Sequence, residues 1–357
     1  ERTFRRKKDA EELSCGFEGK DEFELCEVPV PEGYPQSQTH CGVICVDGSY
    51  ILSTSPYPVP KRSKWLVYIM AVLKKISFGI YNPFYVGEDF ENPCLYMGEP
   101  KENRGYPTIF RLLNGSPVMK KAEDLYGMGS YCSDPDISYH DGLYYLINRT
   151  TIRKARTGDV DIDYDTKVHL TIGSICDGGF NIQKQICLFK ENDVSPCMRY
   201  YKGRYIYLSL RTTSYNTGRP CEALFLRESM LPEGPWSTKT FINIEKGNYE
   251  PWHFSVFDFE DKLYAIIACV RHGEKQRCWQ MLGEFDEGLT TLKIYQTPLT
   301  DYKSYRGSAL VTDYGDFVFY NSVVNEKIKK GKSVDGREVI VASRSFESLI
   351  KKINLNT

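Results

Sequence analysis

The chain has 357 residues, and its 46 Lys+Arg against 47 Asp+Glu leave a formal charge of −1, which removes the electrostatic case for a nucleic acid or another polyanion as partner. Hydrophobic residues at 41% and charged residues at 26% are the balance of an ordinary globular protein and exclude wholesale disorder. The unusual entries are 26 Tyr, 18 Phe and 12 Cys; such an aromatic content favours strands, whose pleated surface packs rings well, and it also suits sugar binding.

From Glu1 to Leu13 the sequence is charged throughout, with Arg5-Arg6-Lys7-Lys8 followed by acids, and no apolar run follows that reads as a signal peptide. The expectation is an extension over 1–37 that packs on or closes the domain after it, in a cytoplasmic protein or, if a leader has been removed, a secreted one. Beyond it one phrase recurs: a polar or Pro-containing start, a few alternating residues, a tight turn, then an aromatic-rich strand. The instances begin at 40, 133, 194, 250 and 305. Their turns are Asp47-Gly48, Asp141-Gly142, Lys202-Gly203, Glu260-Asp261 and Tyr314-Gly315, of which the Gly types supply the positive φ that tight hairpins need. The last three intervals, 61, 58 and 54 residues, suit units of about four strands, so the predicted fold is all-β, a single five-bladed β-propeller over 38–350. In such a ring the first strand of each hairpin is innermost, and its opening residues line one mouth of the central channel.

The first interval is longer and implies an insertion at about 60–90, between Ser55-Pro56-Tyr57-Pro58 and Glu91-Asn92-Pro93. Its segment from about Ser63 to Phe78 reads as a short helix with basic flanks, open to four readings: packed on a blade, a lid, a dimer contact, or a membrane-surface helix suited by Trp65 and Tyr68. The longest apolar run, Trp65 to Leu73, is far short of the ~20 residues that span a bilayer, so no transmembrane segment is expected. The twelve cysteines form no CxxC pair and no Cys/His cluster at zinc spacing. They read as small buried hydrophobes rather than six disulfides. No metal and no cofactor are expected, apart from the option of a structural Ca²⁺ in the channel, for which there is no ligand motif. The sequons at Asn114 and Asn148 read as fortuitous.

The strand starts carry the chemistry. Asp134 and Asp136, in Ser133-Asp134-Pro135-Asp136, share a face of an extended strand and so can raise each other's proton affinity or bind a cation or sugar hydroxyls. Against this stands an Asp that simply caps a turn beside Pro. Glu250 and His253, in Tyr249-Glu250-Pro251-Trp252-His253, pair a carboxylate with an imidazole that titrates near neutrality; Trp252 is a stacking platform or core. Arg306, after Tyr305, either grips a sugar bidentately or closes a salt bridge. His40 opens the first hairpin, Glu91 is a further carboxylate, and Tyr57 and Asn92 flank the insertion as substrate contacts. Asp193 becomes a displaced acid if the third strand is read one residue over.

With SDPDI, HDGLYYL, the phrase Gly234 to Ser237 and Trp252-His253 in this order, the chain resembles the five-bladed propeller glycosidases of the arabinanase and β-xylosidase type, glycoside hydrolase family 43, and the related invertase and levansucrase clan. It looks closest to uncharacterised bacterial and phage relatives. The resemblance, over about 38–325, implies three carboxylates at the starts of inner strands: a base in blade one, an orienting Asp in blade two and an acid in blade three. Only the second transfers, as Asp136 on the arabinanase pattern or Asp134 on the invertase pattern; His40 and Val194-Ser195-Pro196 stand where the other two are expected. The expected activity is cleavage or transfer of a glycosidic bond of an oligo- or polysaccharide by Asp134, Asp136, Glu250 and Glu91, with His40, Trp252, His253, Arg306, Tyr57 and Asn92 binding substrate. Carboxyls ~6.5–9.5 Å apart would invert configuration and ~5–5.5 Å would retain it. The rivals are a propeller that binds glycan without turnover and a protein-interaction propeller; the oligomeric state is left open.

Overall fold

The computed structural model describes residues 15–17, 22–32, 38–56, 92–100, 104–116, 118, 130–153, 164–212, 221–274, 278–324 and 337–354, together with 65, 68–69, 72–73 and 76–77. Strands dominate. After β1 (Glu24–Leu25), a first sheet is built in chain order from β2 (Gln38–Val46), β3 (Ser49–Pro56), β4 (Cys94–Gly98) and β5 (Arg111–Leu112). A second holds β6 (Ser130–His140), β7 (Leu143–Arg153), β8 (Tyr164–Cys176) and β9 (Gly179–Lys190). Two further antiparallel meanders follow, β10 (Val194–Tyr201), β11 (Arg204–Thr212), β12 (Cys221–Ser229) and β13 (Thr240–Glu245), then β14 (Tyr249–Phe259), β15 (Lys262–Arg271), β16 (Trp279–Phe285) and β17 (Thr291–Ile294). A parallel pairing of β13 with β17 joins their outer edges into one eight-stranded sheet. The last sheet contains β18 (Ser308–Val311), β19 (Asp316–Val324) and β20 (Arg337–Ser345), with β1 from the other end of the chain on its outer edge.

The turn chemistry explains the hairpins. Both central residues have positive φ at Asp47-Gly48, Asp141-Gly142, Lys202-Gly203 and Glu260-Asp261, the backbone whose twist matches that of the flanking strands. At Tyr314-Gly315 only the glycine is left-handed, with φ 80°. Asp177-Gly178, between β8 and β9, is a fifth turn with both central residues left-handed.

The first strands form a ring. β2 packs beside β6, β6 beside β10, β10 beside β14, β14 beside β18, and β18 beside β2 again, a propeller-like arrangement. The hydrophobic clusters lie between neighbouring sheets rather than within one: Ile51 and Leu95 meet Ile137 and Leu146, and Tyr145 and Ile147 meet Met198 and Tyr207. The aromatic excess sits in these seams, where Tyr50, Tyr96, Tyr207, Tyr320, Phe254, Phe317 and Phe319 are almost wholly buried. The helix α1 (Phe346–Asn354) lays Phe346, Leu349 and Ile353 into the seam that also holds Phe17, Phe257 and Phe317. The insertion leaves at the end of β3 and returns at β4, inside the first sheet. Trp65, Tyr68, Ile69, Val72, Leu73 and Ile76 have helical backbone, and the Ser77 N–H donates to Leu73 O at 3.0 Å. Eleven of the cysteines, all but Cys221, stand outside any disulfide among the described residues, and eight of them are buried.

Leu349 is fully buried at the closing seam. Leu349→Ala is expected to cost about 2–5 kcal/mol in urea unfolding, whereas Ser348→Ala on the exposed face should change little.

Candidate functional site

The site is made by backbone irregularities at the mouth ends of the inner strands. In β2, β6 and β10 the pairing register breaks between Thr39 and Gly42, Ser133 and Asp136, and Val194 and Cys197. At each break one non-glycine residue is left-handed: His40 at φ 55°, Asp134 at 54° and Ser195 at 51°. Such a backbone costs on the order of 1–3 kcal/mol per residue and persists only where surrounding contacts impose it. An extra residue in one strand re-aims the side chains around it, and here it does so three times at one end of the ring. β14 has its own register break, between Pro251 and His253.

Asp134 stands at the centre, with no exposed surface. Its Oδ2 accepts from Arg149 Nε at 2.7 Å and from the Ser195 backbone N–H at 3.2 Å. Its Oδ1 lies 3.0 Å from His40 Nε2 and 3.6 Å from His253 Nδ1. His253 is held at both nitrogens, Nδ1 being 2.8 Å from Ser195 Oγ and Nε2 2.8 Å from the Tyr305 hydroxyl. The His40 ring meets the rings of Tyr305 and His253 at 5.0 and 5.5 Å between centroids, and the Arg337 guanidinium covers the Tyr305 ring.

Burial alone would push the Asp134 carboxyl up, but Arg149 foremost, then His253 and His40, hold it well below the usual carboxylate range. Burial pushes His253 well below the usual imidazole range, reinforced by His40, Arg306 and Arg149 against the opposing pull of Asp134. An anionic carboxylate thus faces a neutral imidazole. One donor atom from each of His40, Asp134 and His253 falls within 4.8 Å of the others, all three buried, an N₂O set that fits a divalent transition metal. The Tyr305 hydroxyl, on the far nitrogen of His253, and the Arg149 guanidinium, on the second oxygen of Asp134, stand behind it as the orienting groups such ligands require. No sequence motif announced this set, because its members are 94 and 119 residues apart and converge only through the ring.

The other expected residues lie elsewhere. Asp136 is locked by Arg199, whose Nη1 and Nη2 reach its two oxygens at 2.5 and 3.3 Å. Arg306 is wholly buried and donates to Phe254 O at 3.0 Å and Pro135 O at 3.1 Å, with Nη2 3.8 Å from Asp136; it ties strands together beneath the mouth. Glu250 pairs with Lys246 at 2.7 Å and His272 at 2.9 Å, outside the central cluster. Asp193 bonds Ser209 and Lys239 within the third sheet, where burial and Glu191 raise its carboxyl. Trp252 is half-buried with its ring 5.7 Å from that of His253, and Asn92 is buried, its carbonyl receiving the Cys94 thiol. Tyr57 and Glu91 fall outside the described residues.

Arg149, Ser195 and Tyr305 are the members that reading strand starts missed. Tyr305 stood in the same phrase as Arg306. The bulge register makes Ser195, rather than Val194, the counterpart of His40 and Asp134. Arg149 carried no local signal, since it lies on the second strand of its hairpin and reaches Asp134 across the pair.

No family model and no curated sequence matches the chain. Solved structures share its fold. An N-acetylgalactosamine deacetylase from F. plautii, in complex with blood group B trisaccharide, is 13% identical with a TM-score of 0.62, over 93% of this chain and 96% of that one. A xylan β-1,4-xylosidase from Bacillus halodurans C-125 is 16% identical with a TM-score of 0.55, over 86% of this chain and 53% of that one. The β-xylosidase RS223 is 13% identical with a TM-score of 0.53, over 86% and 92%.

Arg149→Met removes the main counter-charge of a buried anion and is expected to cost about 3–5 kcal/mol in urea unfolding. Adding Asp134→Asn should recover part of that loss, giving a clear coupling energy in a double-mutant cycle.

Proposed function

We propose that this chain is a glycan-active hydrolase on a five-bladed propeller, working at the mouth where His40, Asp134, His253 and Tyr305 meet. The blade count rests on the cyclic neighbourhood of five first strands, with the eight-stranded sheet read as two blades joined at their edges. The chemistry favoured is metal-assisted hydrolysis of an acyl substituent on an amino sugar. The observation that carries this reading is the donor set, one ionised carboxylate with two imidazoles, where a glycosidase centre calls for two working carboxyl groups. The deacetylase among the fold neighbours supports it.

A divalent cation held by His40, Asp134 and His253 would act as a Lewis acid toward a substrate carbonyl and lower the pKa of a water. The chain's own groups prepare the rest. Arg149 keeps Asp134 ionised and fixes Oδ2, so that Oδ1 faces the two imidazoles. With the His253 Nε2–H donated to Tyr305, Nδ1 accepts from the Ser195 hydroxyl, a bond that a cation at Nδ1 would replace. The Tyr305 hydroxyl can then hold or pass a proton at the mouth, where an amine leaving group needs one.

Cleavage of a glycosidic bond by acid/base carboxylates is the second reading, favoured by the xylosidase folds. It draws its carboxyls from Asp134 with Asp136, Glu250 or Glu91; Asp136 would have to leave Arg199, and Glu250 would have to leave Lys246 and His272. A propeller that binds glycan without turnover is the outcome if neither bond is cut.

The test measures acetate release from N-acetylated amino sugars beside turnover of a panel of aryl glycosides. The expected result is acetate release that disappears on chelation, returns with divalent metal, and falls by at least about 100-fold in Asp134→Asn and His253→Ala. Glycoside turnover abolished by Glu250→Gln or Asp136→Asn and indifferent to chelation would establish the carboxylate reading instead.

A further inference from the structure

The helical stretch between β3 and β4 exposes an apolar face that nothing among the described residues covers. Trp65, Tyr68, Ile69, Val72, Leu73 and Ile76 recur at i, i+3, i+4, i+7, i+8 and i+11, the spacing of one helix face. From Trp65 to Leu73 every position is apolar, and in a helix packed on a core such residues would be hidden. Here Trp65 is 72% exposed, Tyr68 65% and Ile76 68%, with the other three at 37–43%. No polar side chain interrupts the row, and a Trp and a Tyr stand at one end of it.

We propose that this face docks on the surface of an anionic lipid bilayer. Charge selects the occupant. Residues 48–87 contain no acid and five basic residues, Lys61, Arg62, Lys64, Lys74 and Lys75, in a chain whose overall charge is −1. Basic residues flanking an apolar stripe with interfacial aromatics are the composition of a helix that lies in the headgroup region, its apolar side in the acyl boundary and its cations among lipid phosphates. Eleven residues of rise cover roughly 16 Å, enough to lie on a bilayer and too little to cross it. A second copy of the chain is a poor occupant, because a two-fold contact would bring together two segments that each carry five basic residues and no acid. Both roots of the insertion lie at the end of the first sheet that carries His40: Pro56 pairs with Gln38, and Cys94 with Thr54. Docking therefore occurs next to the mouth end of the ring.

The full chain is mixed with vesicles of phosphatidylcholine alone or with phosphatidylserine added, and floated at low and high salt. The proposal expects binding that is roughly tenfold or more stronger on phosphatidylserine vesicles, released by salt, and accompanied by a blue shift of Trp fluorescence that Trp65→Phe removes. Lys64→Glu with Lys74→Glu and Lys75→Glu should abolish the phosphatidylserine preference. Ile76→Asn should weaken binding while leaving the melting temperature unchanged, as befits an exposed position. Equal failure to bind both vesicle types overturns the proposal. So does a dimer in sedimentation that Ile76→Asn dissolves, or a salt-sensitive complex with an acidic protein in the absence of vesicle binding.

Discussion

Everything at the mouth of this ring depends on keeping one carboxylate charged where water does not reach. Asp134 is fully buried, and an ion in that position costs several kcal/mol unless its partners replace the lost solvent. Arg149 from the neighbouring strand, the Ser195 backbone N–H from the next sheet and the facing imidazoles supply that replacement. Because the donors come from different sheets, the charge can be satisfied only when the ring is assembled. The group at the centre of the candidate site therefore also selects the assembled arrangement of the strands.

A second layer of charge lies beneath it. Asp136, two residues on, is forked by Arg199, while Arg306 reaches the backbone carbonyls of β6 and β14 and approaches Asp136 from the other side. Two acidic residues in one short phrase thus have different environments. Asp134 faces imidazoles and hydroxyls that can exchange protons or accept a cation. Asp136 faces two guanidiniums that do neither. The left-handed residues His40, Asp134 and Ser195 follow the same logic: backbone strain at three equivalent bulges places polar and titratable side chains together, and the aromatic seams between the sheets supply the rigidity that sustains it.

The hairpins were legible because their signal is local. Asp-Gly, Lys-Gly and Glu-Asp turns between alternating residues need nothing beyond the backbone preference of four residues, and β2–β3, β6–β7, β10–β11 and β14–β15 form where those turns stand. His40, Asp134 and His253 were also legible, as polar residues opening innermost strands. Arg306 and Glu250 show the limit of that reasoning. Both open strands as well, yet Arg306 is drawn beneath the mouth by backbone carbonyls, and Glu250 is held at Lys246 and His272.

The sequence by itself determined the strand-rich character, the order of the hairpins and the residue types gathered at the strand starts, since these follow from period-two patterning and turn chemistry over a few residues. Which of those residues meet was decided only by the tertiary structure. A side chain in a strand changes face with a shift of one residue, and the bulges introduce that shift at the positions that matter. Which arginine reaches each carboxylate differs in the same way: Arg149 meets Asp134 across its own hairpin, while Arg199 meets Asp136 from a sheet whose position only the ring fixes.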